Sequence, residues 1–240
     1  MRTSLSVIAL ITLAACSGGP SSGDGTAGVG DNRGGDSGLV FDGIAAASAG
    51  ADTASQAFAA RVDAFQADVA SVDDRPLADY SFTAFTGIPD TGSATYSGLI
   101  NVNAGPSADL TAGLDIVANF GNSRLTATQT SGFFANDGGT LVPYAGTLSY
   151  SNGTIGARGT PNNARLDIAG TLSGDGNTVT VDGEILGKLV GTPVVGISAN
   201  TTVADAAALS NPDRAMSITL NGSAVTDGSA GFVVIDNTLR

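Results

Sequence analysis

The chain has 240 residues, of which 42% are hydrophobic, with a formal net charge of -12, one cysteine, no histidine and no tryptophan. The negative charge argues against nucleic acid as a partner, because phosphate binding needs a basic face. The absence of histidine removes the commonest general base and transition-metal ligand, and with them Ser-His-Asp and Cys-His catalysis, so we expect a protein that is not an enzyme and has no cofactor or metal.

Residues 1–15 have the pattern of a secretory signal peptide. Arg2 gives a positive start, and the apolar run over 5–13 is much shorter than the ~20 residues that span a bilayer. The small residues Ala14 and Ala15 follow, and Cys16 comes directly after them. We therefore expect export of the chain.

The stretch Leu13-Ala14-Ala15-Cys16 resembles the bacterial lipobox. The resemblance implies cleavage before Cys16, lipidation of its sulfur and acylation of the new amine. Acyl chains contribute ~0.8 kcal/mol per buried CH2, so they would anchor the chain to the membrane. The alternative is an ordinary signal peptide followed by a free thiol, which is a liability in an oxidising compartment. In the sorting rule of such lipoproteins, Asp after the cysteine retains the protein at the inner membrane. Ser17 stands there instead, which favours the outer membrane; the domain could then face the periplasm or the cell surface.

Residues 16–38 are rich in Gly, Ser and Asp and contain almost no large apolar side chain. Such a segment cannot bury enough apolar surface to become ordered, so we predict a disordered tether. The lead-in segment 39–93 follows, and it begins with a short apolar run at 39–41 that we interpret as a docking strand.

The lead-in segment contains one predicted α-helix over 54–73. Its apolar residues recur at spacings of three and four, which is the pattern of a helix with one buried face; they are Phe58, Val62, Phe65, Val69 and Val72. Thr53 or Ser55 is the expected cap, and Pro76 lies just past the end. We expect this helix to pack on the main domain; the alternatives are a partner-binding helix or a coiled-coil spacer.

Residues 94–240 alternate apolar and polar residues between Gly- and Asn-rich turns, which predicts an all-β domain. The alternating runs give about eight strands. A meander of that size avoids open edges by closing into an antiparallel barrel, so we expect such a barrel. The predicted strands lie near 95–103, 111–120, 123–134, 141–150, 164–172, 177–189, 193–199 and 230–237, and a further run at 214–221 is expected to pair with the last. Predicted turns lie at 121–123, 137–139, 151–153 and 174–177.

Several blocks of this domain resemble the β-barrel domain of transferrin-binding protein B and related surface lipoproteins; the blocks are 96–98, 114–121, 144–148 and 183–187. Asn119 and Ile185 depart from that pattern, which has Asp and an aromatic residue there. The resemblance implies a lipidated binding or adhesion protein. Because only one barrel fits in this chain, transferrin itself is not the expected ligand.

Three acidic stretches are candidates for chemistry. Asp73-Asp74 is interpreted as a solvated turn, and Asp182 with Glu184 as the outer face of a barrel rather than a glycosidase-like pair. The stretch 174–177 is interpreted as a tight turn rather than a calcium loop.

The expected function is therefore that of a lipid-anchored envelope protein with a non-catalytic binding barrel, monomeric, with an unknown protein or small molecule as its ligand. A lipocalin-like carrier of an apolar molecule and a structural lipoprotein without a ligand are the alternatives.

Overall fold

The computed structural model describes residues 52–72, 77, 80–105, 108–137, 140–156, 163–203 and 215–239. The predicted signal peptide, Cys16, the tether and the strand at 39–41 lie outside these residues. So does the acidic pair at 73–74.

One α-helix and twelve strands make up the described regular structure, apart from short 3-10 turns. The helix α1 is Thr53–Ala70. The strands are β1 Ser93–Asn103, β2 Asp109–Asn119, β3 Arg124–Gln129, β4 Phe133–Asp137, β5 Thr140–Tyr144, β6 Leu148–Ile155, β7 Asn163–Gly174, β8 Asn177–Val190, β9 Gly196–Thr202, β10 Ser217–Leu220, β11 Ser223–Ala224 and β12 Ser229–Asp236.

Eight of these strands form a closed antiparallel barrel, as predicted from the alternating pattern. The order around the wall is β1-β12-β9-β8-β7-β6-β3-β2, and pairing of β2 with β1 closes the circle. The predicted fold class, an all-β barrel of eight antiparallel strands with one preceding helix, is confirmed.

Two hairpins extend the wall at one end of the barrel. The hairpin β4–β5 pairs with the start of β2, and a bridge from Ala145 to Ser173 connects it to β7. The hairpin β10–β11 pairs with the first half of β8. The prediction that the run at 214–221 pairs with the last strand was wrong, because β12 already has β1 and β9 on its two edges.

The turn predictions had mixed outcomes. Asp175 and Gly176 have φ angles of 48° and 71° and form the expected two-residue turn between β7 and β8. Ser123, with φ of 55°, completes the expected tight link between β2 and β3.

The turn predicted at 151–153 was wrong, because these residues lie inside β6. There they form an irregularity against β7, with Asn152 at a φ of 51°. Asn-Gly favours left-handed backbone, which serves a β-bulge as well as a hairpin turn.

The barrel interior is filled with side chains. Alternate residues of each strand point inward and are buried, as in β2, whose inward set is Leu110, Ala112, Leu114, Ile116 and Ala118. Tyr96, Phe133 and Phe232 are the largest fully buried side chains of this core. The lumen is therefore a packed core.

The helix packs on the outside of the barrel, as expected. Phe58, Val62 and Phe65 join a second apolar cluster with Leu99 of β1, and the Phe58 ring stacks on Phe134 at a centroid distance of 4.7 Å. In the described residues, α1 lacks the combination of length and apolar character that would let it cross a membrane.

The helix cap differs from the one predicted. Asp52 caps α1, and its carboxylate accepts hydrogen bonds from the amides of Ala54 at 2.8 Å and Ser55 at 3.0 Å. Asp52 lies just before the helix, where an N-cap must be, whereas Thr53 and Ser55 are already in the first turn.

Candidate functional site

The barrel wall is incomplete between β3 and β6. These neighbouring strands have a single ladder pair, Arg124 with Thr154, supported by a 3.0 Å hydrogen bond from the Ile155 amide to the Ser123 carbonyl. On its other edge β3 pairs with β2 along its whole length. Beyond Leu125, β3 therefore has a paired edge toward β2 and an open edge toward β6.

The direction of the backbone groups along this open edge follows from strand geometry. The Thr130 amide donates to the Gly113 carbonyl at 2.9 Å, so alternate residues of β3 face β2 and the backbone groups of Ala127 face β6. On β6, the Leu148 amide faces β3, which places the backbone groups of Tyr150 on the same edge. Ala127 and Tyr150 thus present backbone donors and acceptors to the gap from its two sides.

A side chain substitutes for the ladder at the far end of this gap. Gln129 accepts a hydrogen bond from the Leu148 amide at 3.3 Å and donates one to the Ser131 carbonyl at 2.7 Å. It therefore links β3 to β6 where backbone pairing is missing.

A glycine sets the other end of the gap. A β-carbon on Gly153 would overlap the Leu125 carbonyl oxygen and lie 2.8 Å from the Leu125 β-carbon. Only a residue without a side chain permits this approach of the two strands. The gap is thus bounded by a close backbone contact at one end and by Gln129 at the other.

The gap opens into a cleft of ≈ 380 Å³, which we call the wall cleft; it is lined by Asn122, Arg124, Leu125, Thr126, Ala127, Tyr150, Ser151, Asn152, Gly153 and Leu166. Leu166 belongs to the barrel core and is 1% exposed, so the cleft reaches the core from outside. Arg124 and Thr126 are exposed at the entrance. The size falls within the range of small-molecule sites, about 300–1,000 Å³.

Tyr150 lines the wall cleft, packs against the barrel core and carries an unsatisfied polar group. Its hydroxyl oxygen is buried and has no hydrogen-bond partner within the described protein. Burial raises the pKa of Tyr150, so the hydroxyl stays protonated and can both donate and accept. A buried polar group without a partner costs about 1–3 kcal/mol, which a ligand with a suitable atom would recover.

Arg124 brings an available positive charge. Of the other cations in the described residues, Arg61 lies 3.4 Å from Asp115, Arg165 lies 3.4 Å from Glu184, and Lys188 lies 4.7 Å from the centroid of the Phe82 ring. Within that same part of the chain Arg124 has neither an ion-pair partner nor a ring contact. Its guanidinium group is therefore available at the cleft entrance.

The acidic sites considered from the sequence do not converge. Asp182 is exposed, whereas Glu184 is 4% exposed and paired with Arg165 across β7 and β8. The stretch 174–177 is a turn whose Asn177 side chain accepts a hydrogen bond from Asn221 at 3.0 Å. Over the described ranges, no cluster of three or more His, Cys, Asp or Glu side chains is placed to hold a metal ion.

A second groove of ≈ 270 Å³ lies between α1 and the barrel, and its lining includes Arg61, Phe65 and Asp115. Arg61 and Asp115 pair with each other across it, so its charges are already matched. The wall cleft, with unmatched polar groups, is the stronger candidate.

The residues of the wall cleft are not among the sites predicted from the sequence. The stretch 151–153 carries the local signal, because its Asn-Gly pair produces an irregularity of β6 against β7 rather than the predicted turn. No family model, curated protein or solved structure matches the chain.

Proposed function

We propose that this protein is a lipid-anchored lipoprotein of the bacterial envelope, held in the outer membrane through Cys16, with its barrel as a non-catalytic binding module. The anchor is supported by Leu13-Ala14-Ala15-Cys16 and by the apolar run before it. The Gly-rich stretch 16–38 would separate the barrel from the membrane surface.

The observation that carries the binding role is the combination of a filled lumen with an open wall. A lipocalin-like carrier needs a cavity inside the barrel, and the packed core over the described strands weighs against that alternative. The wall cleft instead offers a free guanidinium group, a buried tyrosine hydroxyl and unpaired strand edges. These unmatched groups also favour a binding role over a purely structural one.

The resemblance to the barrel of transferrin-binding protein B is part of this proposal. A single closed barrel with a preceding helix is compatible with a one-barrel relative of that family. We propose a binding or adhesion role of that general kind, with a ligand other than transferrin.

The anchor is tested by expressing the full chain in a Gram-negative host fed with an alkyne analogue of palmitate. We expect label on the wild type and on Ser17→Ala, and none on Cys16→Ala. Ser17→Asp should keep the label but move the protein from the outer-membrane to the inner-membrane fraction. Equal labelling of the wild type and Cys16→Ala would contradict the proposal.

A further inference from the structure

We propose that the wall cleft binds a small carboxylic acid with a compact apolar body, such as an aromatic or short-chain acid. This inference rests on the proposed function as a binding module and names the ligand class of that site. The carboxylate would contact Arg124, and the apolar body would lie against Leu125 and Leu166.

The charge of the ligand follows from the way this chain uses its few cations. The chain has 10 Lys and Arg against 22 Asp and Glu, and the other described cations pair with the protein's own groups. Arg124 alone among them is left at the entrance of a cleft. A guanidinium group binds carboxylates through two parallel hydrogen bonds, which makes a carboxylate the matching group.

The residues that line the cleft carry hydrogen-bonding groups that a carboxylate can use. The Tyr150 hydroxyl is buried without a partner, and the backbone groups of Ala127 and Tyr150 face the gap. A carboxylate has four lone-pair positions, so it can accept from Arg124 and from one of these groups together. The ligand would recover hydrogen bonds that the barrel wall lacks.

The apolar surface of the cleft sets the body of the ligand. Leu125 and Leu166 both line the cleft, and both side chains are apolar. A polar group of the ligand placed against these side chains would lose its hydrogen bonds to water without gaining new ones, so an apolar group is favoured there. A cleft of ≈ 380 Å³ suits one ring or a short chain rather than a long acyl chain.

The test uses the full chain in uncharged detergent and two matched probes, phenylacetate and its neutral isostere phenylacetamide, followed by calorimetry and ligand-observed NMR. We expect phenylacetate to bind the wild type at least about tenfold more tightly than phenylacetamide. Arg124→Gln should remove that difference. Lys188→Gln is the charge-matched control, because it removes one positive charge outside the cleft lining and should leave binding unchanged.

The outcomes separate this inference from the proposed function. Equal binding of the two probes by the wild type, or unchanged phenylacetate binding in Arg124→Gln, would overturn the carboxylate assignment. If both probes bind equally and Thr126→Trp blocks both, the binding module stands and only the ligand class is wrong. If phenylacetate binds tightly and Thr126→Trp has no effect, the location in the wall cleft is wrong.

Discussion

Gly98 of β1 lies against the ring of Phe65 on α1. A β-carbon on Gly98 would be 2.8 Å from Cε2 of Phe65 and would overlap the carbonyl oxygen of Val233 on β12. Because this residue is a glycine, α1 can pack closely on the barrel and β12 can lie close to β1 at the same position. The docking of α1 depends on a residue that has no side chain.

We expect Gly98→Ala to lower the free energy of unfolding by about 1–3 kcal/mol, because backbone and a packed ring must both move. Gly132→Ala is the control, since its β-carbon would meet only Cε2 of Phe134 at 3.9 Å. Chemical denaturation of the two variants measures the difference. Equal stability of Gly98→Ala and the wild type would contradict the contact.

The stacked pair of Phe58 and Phe134 predicts a larger effect. Phe134 is 5% exposed, and Phe134→Ala should cost about 3–5 kcal/mol as a buried aromatic truncation. Phe82 is 46% exposed, and its ring lies under the Lys188 ammonium group at 4.7 Å, so Phe82→Ala should cost about 1 kcal/mol or less. Similar losses in the two variants, measured by urea denaturation, would argue against helix docking through this stack.

The capping residue predicts a pH dependence. Hydrogen bonds from the backbone and side chain of Ser55 lower the pKa of Asp52 below its ordinary value of 3.8. Because the folded pKa is the lower one, its stabilising effect is complete above pH 3.8 and is lost as the pH falls through the folded pKa. Asp52→Asn keeps a capping acceptor that does not titrate.

The stability difference between the wild type and Asp52→Asn should therefore be largest near neutral pH and shrink in acid. Thermal denaturation of both proteins between pH 2 and pH 7, in steps of about one pH unit, measures that difference. A difference that grows as the pH falls would show that Asp52 does not cap the helix as a carboxylate.

The period-two pattern was sufficient to predict the barrel, because a wall with one core face forces alternation on each strand. It did not show where strands end or which edges meet. The predicted strand at 123–134 is divided into β3 and β4, and the one at 141–150 into β5 and β6. Both breaks come where the hairpin β4–β5 leaves the β3–β6 part of the wall, an arrangement set by long-range pairing rather than local sequence.

The candidate site was harder to predict for the same reason. From the sequence, Tyr150 and Arg124 are predicted only to lie in strands. They line one cleft because β3 and β6 are not paired along most of their length. Gly153 could be identified as a turn residue, but the bulge it forms depends on β7 as a partner.

The side-chain link at Gln129 predicts a local change in hydrogen exchange. Gln129→Leu removes the acceptor of the Leu148 amide, so this amide should exchange faster while global stability changes little. Gln129→Glu retains an acceptor and should keep the amide protected. Identical exchange of Leu148 in both variants and the wild type would mean that Gln129 does not link β3 to β6.

The position of the ligand site is tested most directly by ¹⁹F NMR of the full chain labelled with 3-fluorotyrosine and titrated with phenylacetate. The chain has 4 tyrosines. Tyr96 and Tyr144 lie in the lumen core, Tyr80 packs against the helix cluster, and Tyr150 lines the wall cleft. Single Tyr→Phe variants assign the signals. We predict a saturable shift of the Tyr150 signal alone; shifts of Tyr96 and Tyr144 with Tyr150 unchanged would place the ligand in the lumen and contradict the account.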